Sequence, residues 1–220
     1  MKLYVSPSTQ EHNAYAGGGT EEEWMRHLSW RVCNHLQAAG HLVKMGGTVS
    51  AGSNATDANT WGAERYVAIH SNAGGGRGTE VWAYKDGGTG AALARAIYNR
   101  LAPATDSPDR GVKFSTSYIE LYKPNAPACI IECAFHDNLA EANEIKASLD
   151  EWSLAITQGI LDHAGGSIPA PPPVTPPVTP PAHVCPTDPH PSDANEQIAT
   201  LEAKLDKTAE LARAILAVTA

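Results

Sequence analysis

The run YVAIHSNAGGGRGTEVWAY, residues 66–84, decides the fold. Its opening, YVAIHS, is a short apolar run without polar alternation, the pattern of a strand covered on both faces. Glycines 74–76 and 78 then let the chain reverse, and GTEVWAY reads as a further strand. Moving outward, the spacing predicts a helix over Ala91–Leu101, a buried strand in PACIIECAF (127–135), and closing helices over Leu139–Leu149 and Trp152–His163. Upstream, Lys2–Val5 reads as a strand, Glu21–Ala39 as an amphipathic helix stopped by Gly40, His41–Met45 as a strand, and Ala58–Glu64 as a short helix. Strands and helices that alternate in this way predict an α/β domain, a central twisted sheet covered by helices.

The chain has 220 residues, 42% of them hydrophobic, which suffices for one enzyme-sized domain and an appendage. A formal charge of −8 argues against nucleic acid as a partner, because phosphate binding is carried by Lys and Arg. No stretch approaches the roughly 18 apolar residues of a membrane span, and MKLYVSPSTQ lacks the apolar run of a secretory signal. Synthesis in the cytoplasm without a signal peptide is therefore expected. Cys33, Cys129, Cys133 and Cys185 lack the paired spacing of a zinc ribbon and are too few for a disulfide scaffold, so buried thiols are the expectation.

Composition changes abruptly after residue 163. The segment 164–191 contains PAPPPVTPPVTPPAH, whose proline density favours an extended spacer. Residues 192–220 open with Asp193 and Glu196 in capping-box spacing and continue as a strong helix-forming sequence. Ile198, Leu201, Leu205, Ala212 and Ile215 form a seam of near-heptad spacing, interrupted at Thr208, that one helix alone would leave wet. Self-association into a homo-oligomer or docking on another surface is the expected remedy.

Side chains able to do chemistry fall at strand ends or in the loops after them: His12, one of Glu21 to Glu23, His70 and Glu132. A catalytic zinc takes three His or carboxylate ligands and keeps one position for water, so two histidines and a glutamate make a set, with a second glutamate left as base. Helix geometry orders the three glutamates. The buried stripe is Met25, Leu28, Val32, Leu36 and Ala39, and Glu21, four residues before Met25, shares its face. Glu23 is turned away, and Glu22 is second choice.

The segments AIHSNAGGGRGTEVWAY (68–84) and APACIIECAFHDN (126–138) resemble the signature stretches of the type 3 N-acetylmuramoyl-L-alanine amidases, zinc hydrolases of bacterial peptidoglycan. The resemblance covers residues 1–163 and includes Thr20-Glu21 at the helix start, Gly40-His41 at its end and Asn138 after the last strand. It implies that His70 is a zinc ligand and Glu132 the catalytic carboxylate. The family places its first histidine directly after the first strand in a Gly-His pair, where this chain has SPSTQEHN. His12, the only histidine before the helix, is the expected ligand there, with Gln10 as the rival. The expected set is thus zinc on His12, Glu21 and His70, with Glu132 as base and then acid.

Among the remaining histidines, His136, four after Glu132, is the one placed to touch substrate or the metal's surroundings, while His27, His35 and His41 read as helix-surface or capping residues. The glycines at 74–78 are followed by no Lys-Ser or Lys-Thr and no helix, so a phosphate loop is not expected. The implied partner is peptidoglycan, and a phage lysis enzyme released through a membrane hole is the simplest route for an unsecreted wall hydrolase. Three other readings compete: a wall-binding module without chemistry, a zinc peptidase acting on the stem peptide, and an assembly protein built around the C-terminal helix.

Overall fold

The computed structural model describes residues 1–165; the proline-rich segment and the C-terminal helix expected above lie outside the described residues. Six strands form one sheet: β1 (Lys2–Pro7), β2 (Leu42–Met45), β3 (Arg65–Asn72), β4 (Thr79–Ala83), β5 (Asp109–Phe114) and β6 (Ala128–Phe135), in the order β2-β1-β3-β6-β4-β5. β1, β2, β3 and β6 are mutually parallel, whereas β4 pairs antiparallel with β6 and parallel with β5. The helices are α1 (Glu21–Ala38), α2 (Ala51–Trp61), α3 (Gly88–Leu101), α4 (Ile119–Tyr122), α5 (Leu139–Ala147) and α6 (Leu149–Ala164).

Strand periodicity sorts the side chains into two layers. Leu3, Val5, Val67, Ile69, Val81, Cys129, Ile131 and Cys133 face the main core, where Met25, Leu28 and Val32 of α1, Ile97 of α3 and Trp152 and Ile156 of α6 close over them. Tyr4, Tyr66, Ala68, Ala128 and Ile130 face the other way, under a thinner cover from α2 and α4. The thick layer carries stability and the thin one leaves room at its open end. Cys129 and Cys133 are free buried thiols, both pushed up in pKa by that burial.

Two differences from the sequence reading have local causes. The helix expected over 58–64 begins earlier, because Ser50 caps it by accepting from Ser53 N at 3.1 Å, and it stops at Trp61 because Gly62 turns left-handed at φ 75°. β5 and α4 were not expected at all. DRGVKF has little apolar pattern and is ordered by its ladder with β4, and α4 is a single turn.

Helices α3 and α6 touch through Gly159, where an added Cβ would lie 2.5 Å from Ile97 Cα and 2.8 Å from Ala96 O. Neither atom can move without moving the α3 backbone. Gly159→Ala is therefore expected to destabilise the domain by about 1–3 kcal/mol despite alanine's better helix propensity, as a lowered melting temperature would register.

Candidate active site

The parallel strands β1, β3 and β6 end on the same side of the sheet, where α/β folds place their ligands. Ser6, His70 and Glu132 project there from the thinly covered face, and His70 and Glu132 are direct neighbours across the β3–β6 ladder. The ladder shifts register just beyond them, since Asn72 pairs with Phe135, so β6 carries one extra residue after Glu132. A cleft of about 390 Å³ opens here, its wall including Gln10, His70, Tyr118, Glu120, Ile130 and Glu132.

Glu21 reaches the same point from the opposite layer, at the first turn of α1. Thr20 caps that helix by accepting from Glu23 N at 3.2 Å, which fixes the entry of the chain. Of the three consecutive glutamates Glu21 alone is buried. Its Oε1 lies 2.9 Å from His70 Nδ1, and its Oε2 accepts from Asn13 Nδ2 at 2.8 Å. On the far side of the imidazole, His70 Nε2 lies 2.8 Å from Glu120 Oε2. His70 is thus clamped between two buried carboxylates. Burial pulls its pKa down, but the bonds to Glu120 and Glu21 outweigh it and hold the pKa well above the ordinary histidine value. Burial likewise works to raise Glu21 and Glu120, and the imidazole prevails in both, leaving them lowered.

Glu132 behaves in the opposite way. Its Oε2 is shielded from solvent and has no hydrogen-bond partner. Burial pushes its carboxyl up to about 8, with Glu21, Glu80 and Glu120 adding to the rise and His70 opposing it. Glu80, its neighbour on β4, offers no relief. Glu80 is already committed to Lys113, Arg110, Trp82 Nε1 and Asn72 Nδ2, which keep it ionised.

Of the four expected site residues, Glu21, His70 and Glu132 come together and His12 does not. The His12 side chain is 93% exposed, with Nε2 3.5 Å from Glu11. The turn after β1 directs it into solvent and brings the amide of Gln10, itself an exposed residue, to the site instead, with Gln10 Nε2 3.3 Å from Glu21 Oε1 and 3.5 Å from His70 Nδ1. Among the described residues no three His, Cys, Asp or Glu side chains converge as a metal-binding group. Gln10, Glu21 and His70 nevertheless form a triangle with edges of 2.9–3.5 Å. Tetrahedral zinc at its usual ligand distances separates neighbouring donor atoms by about 3.3–3.5 Å. A half-turn of the Gln10 amide would present oxygen to that centre, giving up the bond from Asn13 Nδ2 to Gln10 Oε1 and the contacts of Gln10 Nε2 with Glu21 and His70. One imidazole, one carboxylate and one amide oxygen, facing an unpartnered carboxylate, fit a divalent ion.

His136 is absorbed by packing. It is buried, its ring stacks on Tyr15 at 5.1 Å, and its Nδ1 lies 3.0 Å from both Ser71 Oγ and Ser71 O. The glycine turn is spoken for as well. Gly74 N and Gly75 N donate to Asp137 Oδ2 at 2.7 and 2.8 Å, so the amides that would cradle a phosphate hold this loop to the end of β6. Glu120 had no signal in the sequence, since SYIELY shows neither a recognisable strand end nor a helix of useful length.

The chain resembles known proteins in sequence and in fold. The sporulation-specific N-acetylmuramoyl-L-alanine amidase of Bacillus subtilis strain 168 is 35% identical over 108 residues, 49% of this chain and 42% of that protein. The N-acetylmuramoyl-L-alanine amidase CwlM of Bacillus licheniformis is 35% identical over 109 residues, 49% of this chain and 43% of that protein. The chain therefore matches less than half the length of these relatives. The fold is shared with the amidase AmiC2 of Nostoc punctiforme, at a TM-score of 0.68 and 21% identity, covering 75% of this chain and 97% of that one. An amidase from Clostridium difficile 630 aligns with a TM-score of 0.68 at 22% identity, over 74% of this chain and 96% of that one. The model of the Amidase_3 family, N-acetylmuramoyl-L-alanine amidase, matches residues 8–162, which take in Gln10, Glu21, His70, Glu120 and Glu132, and the chain belongs to that family.

Proposed function

We propose that this chain hydrolyses the amide bond between N-acetylmuramic acid and L-alanine in peptidoglycan, with a zinc ion held by Glu21 and His70 and completed by Gln10. The observation that carries this reading is the unpartnered Glu132 Oε2, buried directly across the ladder from His70 at the open end of the parallel strands. A buried polar atom without a partner costs about 1–3 kcal/mol, a cost retained where chemistry needs the atom free.

When bound, zinc would supply Lewis acidity to the scissile carbonyl and to an attacking water. Glu132 takes the proton of that water as its oxygen adds to the carbonyl carbon. As the carbon–nitrogen bond breaks, the same carboxyl returns the proton to the departing nitrogen, which leaves as the amino group of L-alanine. Burial suits Glu132 to both steps, because a carboxylate whose pKa is raised from 4.5 to about 8 takes a proton more readily than an ordinary one and can still return it near neutral pH. Glu21 and His70 orient the centre, and Asn13 and the Ser71 backbone amide hold Glu21 in turn, the latter at 3.4 Å.

Mass spectrometry of muropeptides after digestion tests the assignment. New L-alanine amino termini on intact glycan chains are expected, absent with a chelator and restored by zinc. Cleavage inside the stem peptide would replace this reading with that of a zinc peptidase, and binding without any cleavage would leave a wall-binding module.

The ligand set makes its own prediction. His12→Ala should leave zinc affinity and turnover within about twofold of wild type, as expected of an exposed side chain, whereas Gln10→Ala should weaken zinc binding by roughly tenfold or more. The reverse pattern, a roughly tenfold loss in His12→Ala and none in Gln10→Ala by chelator competition, would return the first ligand position to His12. A phage endolysin, reaching the wall through a membrane hole, is the route we favour for the enzyme. No helix among the described residues is long and apolar enough to cross a membrane. Self-association through residues 192–220 is proposed from their seam, and sedimentation of the full chain against a chain ending at residue 163 would test it.

A further inference from the structure

We propose that Glu120 is a positioning residue of the metal centre, fixing the proton of His70 on Nε2 so that the Nδ1 lone pair faces Glu21 and the ion. The inference rests on the zinc reading above and concerns a residue outside the ligand set.

The direction of each hydrogen bond around Glu120 can be followed from one end. Asn54 Nδ2 donates to Ser6 Oγ at 3.1 Å, and the Ser6 hydroxyl donates to Glu120 Oε1 at 2.7 Å. The Tyr66 hydroxyl donates to the same oxygen at 2.7 Å. With two donors on Oε1, the carboxyl is held as an acceptor at both ends. The contact of 2.8 Å between Oε2 and His70 Nε2 then requires that nitrogen to carry the proton. A metal can bind only a ring nitrogen that has lost its proton, which leaves Nδ1, the atom 2.9 Å from Glu21.

The bond also fixes the ring in space. Ser6 comes from β1, Tyr66 and His70 from the same face of β3, and Glu120 from α4, so three elements set the plane of one imidazole. Glu120 is 4% exposed. A carboxylate on the outer nitrogen of a ligating histidine orients the ring and raises its basicity, typically worth 10–100-fold in metal affinity.

The bland alternative is that Glu120 merely pins α4 to the sheet, and the two roles separate in a zinc competition against a chromophoric chelator, using the full chain. Glu120→Ala is expected to bind zinc 10–100-fold more weakly than wild type, with Glu120→Gln in between because an amide oxygen can still accept from Nε2. A lowered melting temperature with zinc affinity within twofold of wild type in both variants would overturn the proposal. Should Glu120→Ala fail to fold, the wild type itself decides. In the zinc-loaded protein labelled with 15N at histidine, His70 must show its proton on Nε2 and metal on Nδ1, and the reverse would sink the idea. A wild type that binds no zinc at all would instead refute the zinc reading, a result seen before any variant is made.

Discussion

Glu132→Gln should lower kcat by about a thousandfold while leaving zinc bound at the wild-type stoichiometry. The substitution keeps size and burial and removes only the ability to take and return a proton, a contribution typically worth 10²–10⁴-fold. Because Glu132 is not among the groups that face His70 Nδ1 within hydrogen-bond distance, metal content is expected to survive, and atomic emission of the purified variant checks it. The pH dependence carries the sign. The base works only when ionised, so kcat/KM falls as pH falls through its pKa. Burial drives that value up from 4.5 to about 8 without a metal, and a nearby divalent charge draws it back, which puts the acid limb between those limits. A profile flat to below pH 4 in the wild type, or a Gln variant that keeps turnover, would remove Glu132 from the chemistry.

His70→Ala is expected to have the largest effect on the centre, because His70 answers two buried carboxylates as well as the ion. Zinc binding worth about 10–16 kcal/mol spread over four ligands gives roughly 3 kcal/mol each, so affinity should drop at least about a hundredfold. In the metal-free protein the same change leaves Glu21 and Glu120 facing each other's charge without the imidazole between them, a loss of the order of 3–5 kcal/mol. Both carboxyls are lowered by His70 in the native state. Their contribution is therefore present above the unfolded carboxyl value of about 4.5 and disappears as pH falls through the depressed native values. The melting-temperature gap between wild type and His70→Ala should accordingly be wide at pH 7 and narrow progressively as the pH is taken below 4. A gap independent of pH would mean that the carboxylates do not depend on His70 for their ionisation.

The cleft is walled by Gln10, by Ser117 and Tyr118 and by α4, whereas the glycine turn after β3 is held to the end of β6. The turn is held down by two carboxylates, Asp137 on Gly74 and Gly75, and Glu141 on Gly78 N, Arg77 and Phe135 N.

By itself the sequence determined the layering of the domain and three of the residues at its centre. Hydrophobic runs such as YVAIHS and CIIECAF are local signals, and the polar residue that ends or interrupts each one, His70 or Glu132, is visible because it breaks the run. Glu21 was legible from helix periodicity alone, since its face follows from its distance to Met25. Tertiary structure decided the rest. His12 and Gln10 lie two residues apart in a turn with no period, and only the path of the backbone after β1 chooses which points inward. Glu120 is 50 residues from His70 and belongs to a single helical turn, so its place is set by contacts with Ser6 and Tyr66 rather than by any pattern around it. Periodicity reports which face of an element is buried, whereas which partners meet there depends on the packing of elements far apart in the chain.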